Sequence, residues 1–134
     1  MTNGKKILLV DDEAQLALAV KIRLQSRGYE VVTATDGRQA IDLIPKEKPD
    51  LVILDVVMPV MDGYFCLREI NQRFGRGKYP VVILTARDRM KELFELEGIE
   101  DYVVKPFDHE DLLIRIERVF KRRSETSTPA APSA

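Results

Sequence analysis

The stretch LVILDVVMPVMDG, residues 51–63, places one carboxylate, Asp55, directly after four aliphatic residues. An aliphatic run this short is typical of a strand that is buried on both faces of a parallel sheet. An ionised carboxylate in apolar surroundings is costly unless another group pairs with it. The stretch therefore predicts a buried strand, and it raises the question of what stabilises Asp55 at the end of that strand.

Four further short apolar runs have the same character. Each is too short for a helix and rich in β-branched residues, so each predicts a strand; they are KILLV (6–10), YEVVTA (29–34), VVIL (81–84) and DYVVK (101–105). The segments between them carry apolar residues at helical spacing, most clearly Leu112, Leu113, Ile116, Val119 and Phe120. Strands that alternate with helices predict an α/β protein, a three-layer (βα)5 sandwich whose parallel sheet is covered on both faces.

Turn and capping residues agree with the helices that this apolar spacing predicts. Gly28 predicts the end of the first helix and Pro45 the end of the second, while Asp62 and Asp108 are positioned to cap the third and fifth. The fourth helix is predicted to be short and marginal, because RDRMKELFELEGIED offers few apolar residues before its glycine.

Composition limits the classes of function. The 134 residues carry 21 basic and 22 acidic side chains, a net charge of −1, so the overall charge gives no reason to expect nucleic acid or an anionic membrane as partner. The single cysteine, Cys66, falls in a helical pattern and is interpreted as a packed free thiol. No apolar run is long enough to span a membrane and no leader pattern is present, so a cytoplasmic location is expected.

The predicted folded domain covers residues 5–123. Residues 124–134, SETSTPAAPSA, contain no large apolar side chain and are rich in serine, threonine, alanine and proline. Such a composition cannot bury enough apolar surface to fold. We expect this segment to be a disordered tail or the start of a linker.

Polar residues follow several of the predicted strands. Asp11 and Asp12 come after the first, Asp55 after the third, Thr85 and Ala86 after the fourth, and Lys105 and Pro106 after the fifth. Ligands of parallel α/β sheets bind at the carboxyl ends of the strands, where these residues would meet. Taken singly, the first two aspartates could cap a helix, the threonine could do likewise, and the lysine could lie on the surface. Taken together, their positions at equivalent strand ends favour one functional site.

The chemistry of these strand-end residues indicates a site for a metal ion and a phosphoryl group. Neighbouring carboxylates repel one another unless a divalent cation or protons neutralise them, and ligands that are all oxygen favour Mg²⁺, with Mn²⁺ as an alternative. A carboxylate beside such a metal can act as a nucleophile toward phosphorus and form an acyl phosphate. Phosphoryl transfer then needs mainly in-line positioning and neutralisation of the phosphoryl oxygens.

The motifs LLVDDE, LVILDVVMPVMDG, VVILTAR and DYVVKPF, in this order and at these intervals, closely resemble the receiver domain of two-component response regulators. The resemblance covers residues 5–123. It implies a flavodoxin-like fold, similar to chemotaxis-regulator receivers, with a five-stranded parallel sheet of order 2-1-3-4-5. It also implies a phosphorylation-activated signalling switch, which takes its phosphoryl group from a sensor histidine kinase or a histidine phosphotransfer protein.

By the same resemblance, Asp55 is the phosphoacceptor. Mg²⁺ would be held by Asp12, by Asp55 and by the backbone carbonyl of Val57, with Asp11 assisting through a bound water. Lys105 and Ala86 would contact the phosphoryl group, and a cis peptide is expected before Pro106. Thr85 and Tyr102 resemble the family's switch pair, in which the hydroxyl moves toward the phosphate and the aromatic ring turns inward.

The resemblance further implies a domain that assists its own phosphorylation and dephosphorylation rather than an enzyme with an external substrate. Its outputs would be an effector that the sequence does not name and a homodimer formed through the helix 4–strand 5–helix 5 face. One departure concerns that face, because the 20 residues from Thr85 to Lys105 are fewer than is usual in the family. No direct binding of nucleic acid is expected, since the cationic KRR at 121–123 suits a helix C-terminus.

Two other functions are alternatives to the phosphorylation switch. A pseudo-receiver would use the same fold for protein interaction without phosphorylation, but no residue of the site is missing. An aspartate-based phosphatase of the haloacid dehalogenase type would need a second aspartate two positions after its nucleophile, where this chain has Val57.

Overall fold

The structure is a computed structural model that describes residues 4–56, 62–86 and 89–126. These residues form five strands and five helices that alternate along the chain. The strands are β1 (Lys6–Val10), β2 (Glu30–Ala34), β3 (Leu51–Leu54), β4 (Val81–Thr85) and β5 (Asp101–Val104). The helices are α1 (Ala14–Ser26), α2 (Gly37–Glu47), α3 (Gly63–Phe74), α4 (Lys91–Glu97) and α5 (His109–Thr126).

The five strands form one parallel sheet in the order β2-β1-β3-β4-β5, as the resemblance implies. From the interior strand β1, the chain passes first to β2 at one edge and then, through β3 and β4, to β5 at the other. The order therefore reverses between β1 and β3, where Val10 is paired with Leu54. The residues that follow this pair, Asp11 and Asp55, consequently lie at the switch point where α/β proteins bind ligands.

Side chains alternate between two hydrophobic cores, one on each face of the sheet. One core joins Leu8, Val52 and Ile83 to apolar residues of α2, α3 and α4. The other joins Ile7, Leu9, Ile53 and Leu84 to apolar residues of α1 and α5. All four residues of β3 are fully buried, which explains why its sequence is continuously aliphatic. The predicted three-layer sandwich is confirmed.

The predicted helix ends are largely confirmed. The carboxylate of Asp62 accepts a hydrogen bond from the amide of Phe65 at 3.0 Å, and that of Asp108 accepts one from Glu110 at 3.1 Å. Gly28, with φ of +89°, follows α1 as expected. The prediction for Pro45 was wrong, because α2 continues through it to Glu47 and ends at Lys48 in the left-handed conformation. Burial of the preceding turn of α2 against the sheet outweighs the amide that proline lacks.

The two C-terminal helices differ in length. Helix α4 has seven residues and ends at Gly98, in agreement with the short, weak helix that the sequence predicts. Helix α5 has 18 residues and extends to Thr126, so it includes the first three residues of the segment expected to be a tail or linker. Among the described residues, no helix has both the length and the apolar character that crossing a membrane requires.

Candidate phosphoacceptor and metal site

The backbone of the sheet places the two buried aspartates side by side. The amide of Asp55 donates to the carbonyl of Val10 at 3.0 Å, and the amide of Asp11 donates to that of Ala34 at 3.0 Å. Each aspartate thus continues the ladder by one residue beyond its strand, at the edge of the sheet. Because strand pairing fixes the position of both Cα atoms, the site rests on a rigid part of the fold.

Three carboxylates form a cluster at this edge. Asp11, Asp12 and Asp55 each offer an oxygen atom, and these oxygens lie within 4.8 Å of one another. Asp11 and Asp55 are 3% and 4% exposed, whereas Asp12 is open to solvent. Two of the three negative charges are therefore held in a poorly solvated environment, where they require a counter-charge.

Lys105, which follows β5, supplies part of that counter-charge. Its Nζ lies 3.1 Å from Asp11 Oδ2, 3.5 Å from Asp55 Oδ2 and 2.9 Å from Glu13 Oε1. Burial by itself lowers the pKa of Lys105, but the hydrogen bonds to Glu13 and Asp11 and the charge of Asp55 outweigh it, so the pKa is raised. The ammonium is consequently charged at neutral pH.

A cleft of about 290 Å³ opens above the cluster. It is lined by Asp12, Glu13, Asp55, Ala86 and Lys105. The cleft is large enough for a small tetrahedral group beside a hydrated cation. Its lining carries the carboxylates of Asp12, Glu13 and Asp55 and the ammonium of Lys105.

The other predicted residues that the structure describes belong to β4, to β5 and to the turn after β5. Thr85 is fully buried at the end of β4, and its carbonyl accepts a hydrogen bond from the amide of Lys105 at 2.7 Å. Tyr102, on β5, is 7% exposed, so its ring is directed into the protein. The peptide bond between Lys105 and Pro106 is cis. Val57, whose carbonyl the resemblance assigns to the metal, lies outside the described residues.

Sequence reasoning missed Glu13. Its side chain is 61% exposed but binds Lys105 at 2.9 Å, and its amide donates to Asp11 Oδ1 at 2.9 Å. The residue forms the third member of the acidic DDE triplet at 11–13, which is the signal that could have identified it. Glu13 competes with Asp55 for the lysine, and thereby connects the start of α1 to the site.

The donor set fits a hard divalent cation. The cluster consists of carboxylate oxygens without histidine or thiolate, which favours Mg²⁺ over Zn²⁺ or copper. One ammonium faces three clustered carboxylates, so a net negative charge remains for a cation to neutralise. Asp12 is the exposed member, and its position allows a metal to enter from solvent.

Comparison with known proteins identifies the class. Residues 7–117 match the family model of the response regulator receiver domain, and the chain therefore belongs to this family of signalling domains of two-component systems. The fold and the acidic cluster described above agree with that membership.

Solved structures support the same assignment. The chain resembles the chemotaxis response regulator CheY4 of Vibrio cholerae at 35% identity with a TM-score of 0.78, over 86% of this chain and 98% of that one. It also resembles the response regulator TrrA of Thermotoga maritima, solved in complex with Mg²⁺ and BeF, at 32% identity and a TM-score of 0.78, over 86% and 98% of the two chains.

Curated relatives include longer proteins. The chain is 44% identical over 135 residues to a protein of Cyanophora paradoxa named "Probable transcriptional regulator ycf27", with 98% of this chain and 54% of that protein covered. It is 37% identical over 130 residues to the alkaline phosphatase synthesis transcriptional regulatory protein PhoP of Bacillus subtilis, with 96% and 53% covered. The chain thus spans about half the length of the curated relatives that it matches.

Proposed function

We propose that this chain is a phosphorylation-activated switch in which Asp55 accepts a phosphoryl group from a histidine of a sensor kinase or phosphotransfer protein. The observation that carries the proposal is the position of Asp55, a 4% exposed carboxylate at the base of a cleft, with Lys105 Nζ 3.5 Å away. In the transfer, a carboxylate oxygen of Asp55 forms a bond to phosphorus while the bond from phosphorus to the imidazole nitrogen breaks.

Asp12 and Asp55 would hold Mg²⁺ together with the carbonyl of Val57, and Asp11 would assist through a water, with Mn²⁺ as the alternative ion. When bound, the ion supplies charge neutralisation for the phosphoryl oxygens and for the clustered carboxylates. The residues of the chain would supply positioning, positive charge and hydrogen bonds. The strand would hold Asp55 in position, Lys105 would neutralise a phosphoryl oxygen, and the amide of Ala86 and the hydroxyl of Thr85 would donate hydrogen bonds to the phosphoryl group.

The switch itself would involve Thr85 and Tyr102. Phosphorylation adds a charge of about −1.5 to −2 at the base of the cleft. The Thr85 hydroxyl would move toward this charge, and the ring of Tyr102 would occupy the space that the threonine leaves. In the structure Tyr102 is already buried, at 7% exposure, and its ring lies 6.0 Å from that of Phe94.

The output surface that we propose is the face formed by α4, β5 and α5. Leu93, Leu96 and Val104 are 39%, 71% and 37% exposed on this face, which suits contact with an effector or with a second copy. Regulation of transcription through an effector domain is the output that the curated relatives suggest. We expect the receiver to assist its own phosphorylation and dephosphorylation without turning over an external substrate, and to work in the cytoplasm.

Uptake of phosphate tests the proposal directly. The chain would be incubated with Mg²⁺ and acetyl phosphate, and its intact mass compared with that of Asp55→Asn and of Asp42→Asn. Asp42 is an exposed carboxylate on α2 and serves as the matched control. We expect one phosphoryl group on the wild type and on Asp42→Asn, its removal by hydroxylamine as for an acyl phosphate, and none on Asp55→Asn.

The alternatives give different results in the same experiment. A pseudo-receiver would take up no phosphate in any variant, although the fold would be intact by circular dichroism. An aspartate-based phosphatase would release inorganic phosphate over many rapid turnovers. Either outcome would overturn the proposed switch.

A further inference from the structure

Helix α4 has little of its own to hold it in place. Of its seven described residues, Phe94 alone is buried, while Leu93 and Leu96 are exposed. Its N-terminal cap, Met90, makes no side-chain hydrogen bond to the helix. A helix of this length is unstable by itself, so its position must depend on contacts with the rest of the fold.

Side chains of α3 supply three of these contacts, all to Glu97 at the last turn of α4. The hydroxyl of Tyr64 donates to Glu97 Oε2 at 3.2 Å, and Asn71 Nδ2 donates to the backbone carbonyl of Glu97 at 2.8 Å. Arg68 Nε lies 3.9 Å from the same carboxylate oxygen. Tyr64, Arg68 and Asn71 are spaced by four and three residues and therefore share one face of α3.

The same tyrosine also supports the buried anchor of α4. The ring of Tyr64 packs edge-on against Phe94, with centroids 5.5 Å apart and planes at 90°. Phe94 in turn lies 6.0 Å from the ring of Tyr102 on β5. A row of aromatic rings thus runs from α3 through α4 to β5. Tyr64 contributes its ring to this row and its hydroxyl to the hydrogen bond with Glu97.

At its N-terminus, beside Tyr64, α3 is fixed to the backbone that follows the phosphoacceptor strand. Gly63, the first residue of α3 and the neighbour of Tyr64, donates its amide to the carbonyl of Val56 at 2.8 Å. A Cβ atom at position 63 would lie 2.7 Å from the Cα of Val56. Backbone displacement just after Asp55 must therefore be transmitted to the first turn of α3, since no free space separates them.

We propose that Tyr64 is a positioning residue that couples the backbone after Asp55 to the placement of α4, by a route that does not pass through Thr85. This inference rests on the proposed phosphorylation of Asp55. The route runs from Asp55 and Val56 through Gly63 to Tyr64, and from there to Glu97 and Phe94. It gives the short α4 a connection to the site in addition to the contact of Phe94 with Tyr102.

Hydrogen exchange of the segment 91–98, measured by mass spectrometry, tests the resting contact. Tyr64→Phe keeps the ring on Phe94 but removes the hydroxyl donor to Glu97, and Asn71→Ala removes the second donor. We expect exchange in this segment to be about fivefold faster in each variant, as the loss of a hydrogen bond of about 1 kcal/mol predicts. Arg73→Ala, which breaks the exposed pair with Glu69 on the same helix, is the matched control and leaves the segment unchanged.

Phosphorylation with acetyl phosphate and Mg²⁺ tests the coupling. In the wild type we expect exchange of the segment 91–98 to change on phosphorylation, and in Tyr64→Phe we expect that change to fall to less than half, with equal uptake at Asp55. A merely structural role for Tyr64 would alter resting exchange but leave the response to phosphate intact, and this result would overturn the coupling. If exchange of the segment 91–98 without phosphate were unaltered in both Tyr64→Phe and Asn71→Ala, the proposed support of α4 by α3 would also be wrong.

Failure of the proposed function gives a separate result. If the wild type takes up no phosphate, the phosphorylation switch is wrong and the coupling with it. The resting exchange of Tyr64→Phe and Asn71→Ala still decides whether α3 holds α4, because that comparison requires no phosphate.

Discussion

Cys66 illustrates how burial controls the chemistry of a single side chain. The thiol lies on the inner face of α3, fully buried, with its Sγ 3.8 Å from the carbonyl of Gly37. Burial, followed by the charges of Asp36, Asp62 and Glu69, raises the pKa of the thiol from 9.0 to about 12. Cys66 is therefore a packing residue, as its helical pattern predicts, and its thiolate is strongly disfavoured in the folded protein.

This raised pKa predicts a loss of stability at alkaline pH. The unfolded chain releases the thiol proton from about pH 9, while the folded chain keeps it until about pH 12, so unfolding is favoured as pH rises between these values. Relative to Cys66→Ala, the free energy of unfolding of the wild type should fall by up to about 1.4 kcal/mol per pH unit in this window. Urea unfolding of both proteins at a series of pH values measures the difference.

The comparison with Cys66→Ala cancels the tyrosines and lysines that titrate in the same range, because both proteins contain them. A constant difference in the free energy of unfolding from pH 8 to pH 11 would contradict the prediction, since it would mean that the thiol ionises equally in both states.

Strand β3 and helix α3 approach each other closely beside the phosphoacceptor. The first residue of α3, Gly63, packs against the carbonyl oxygen of Asp55 and the Cα of Val56, where a Cβ atom would overlap the backbone of both residues. Gly63 is needed for close approach of two chain segments. A glycine at this position allows the helix to begin directly beside the phosphoacceptor strand.

We expect Gly63→Ala to displace the backbone of Asp55 and Val56 or the first turn of α3. The cost should be about 1–3 kcal/mol of unfolding free energy, as for other overpacked sites. Because the displaced atoms carry the phosphoacceptor, uptake of phosphate from acetyl phosphate should also be slower. Urea unfolding and a time course of intact mass measure the two effects.

Gly77→Ala is the matched control for this substitution. Position 77 has open space around a Cβ but a φ of +79°, so alanine there introduces backbone strain without a clash. The free energy of unfolding of Gly77→Ala should fall, while its phosphate uptake stays at the wild-type rate. Equal uptake in both variants would show that the close approach at position 63 does not position Asp55.

The acidic cluster of Asp11, Asp12 and Asp55 affects the stability of the whole molecule. Repulsion between its carboxylates disfavours the folded state until a cation neutralises their charge. Two buried carboxylates and one exposed carboxylate converge there from two strand ends, with one lysine between them. A ligand that binds the folded state alone stabilises it in proportion to the logarithm of its concentration. The overall stability of the protein should therefore depend on divalent cations.

We expect Mg²⁺ to raise the free energy of unfolding by about 1.4 kcal/mol at ten times its dissociation constant, which corresponds to a rise of about 5 °C in Tm. Asp12→Asn should remove this rise, although without Mg²⁺ the variant should be at least as stable as the wild type because one repulsive charge is gone. Thermal unfolding with and without Mg²⁺ measures both effects. Asp42→Asn should behave as the wild type, and an equal response in Asp12→Asn would exclude Asp12 as a ligand.

Much of this molecule follows from local sequence patterns. The strands are short aliphatic runs and the helices carry apolar stripes, so their order, the parallel sheet and the meeting of Asp11, Asp12, Asp55 and Lys105 at one edge were all predictable. The end of α2 was not, because burial of Ile41 and Ile44 keeps the helix intact through Pro45. The low helix propensity of Pro45 is outweighed by the packing of the turn that surrounds it.

Periodicity and positions at strand ends were thus enough to predict the three layers, the parallel sheet and the approach of Asp11, Asp12, Asp55 and Lys105. Three contacts became known from the folded molecule alone: Glu13 shares Lys105 with the buried aspartates, Gly63 lies against Asp55, and Tyr64 donates to Glu97. These contacts join side chains of different elements, or depend on how the chain turns between them. No local pattern specifies their distances, which are fixed when the helices pack onto the sheet.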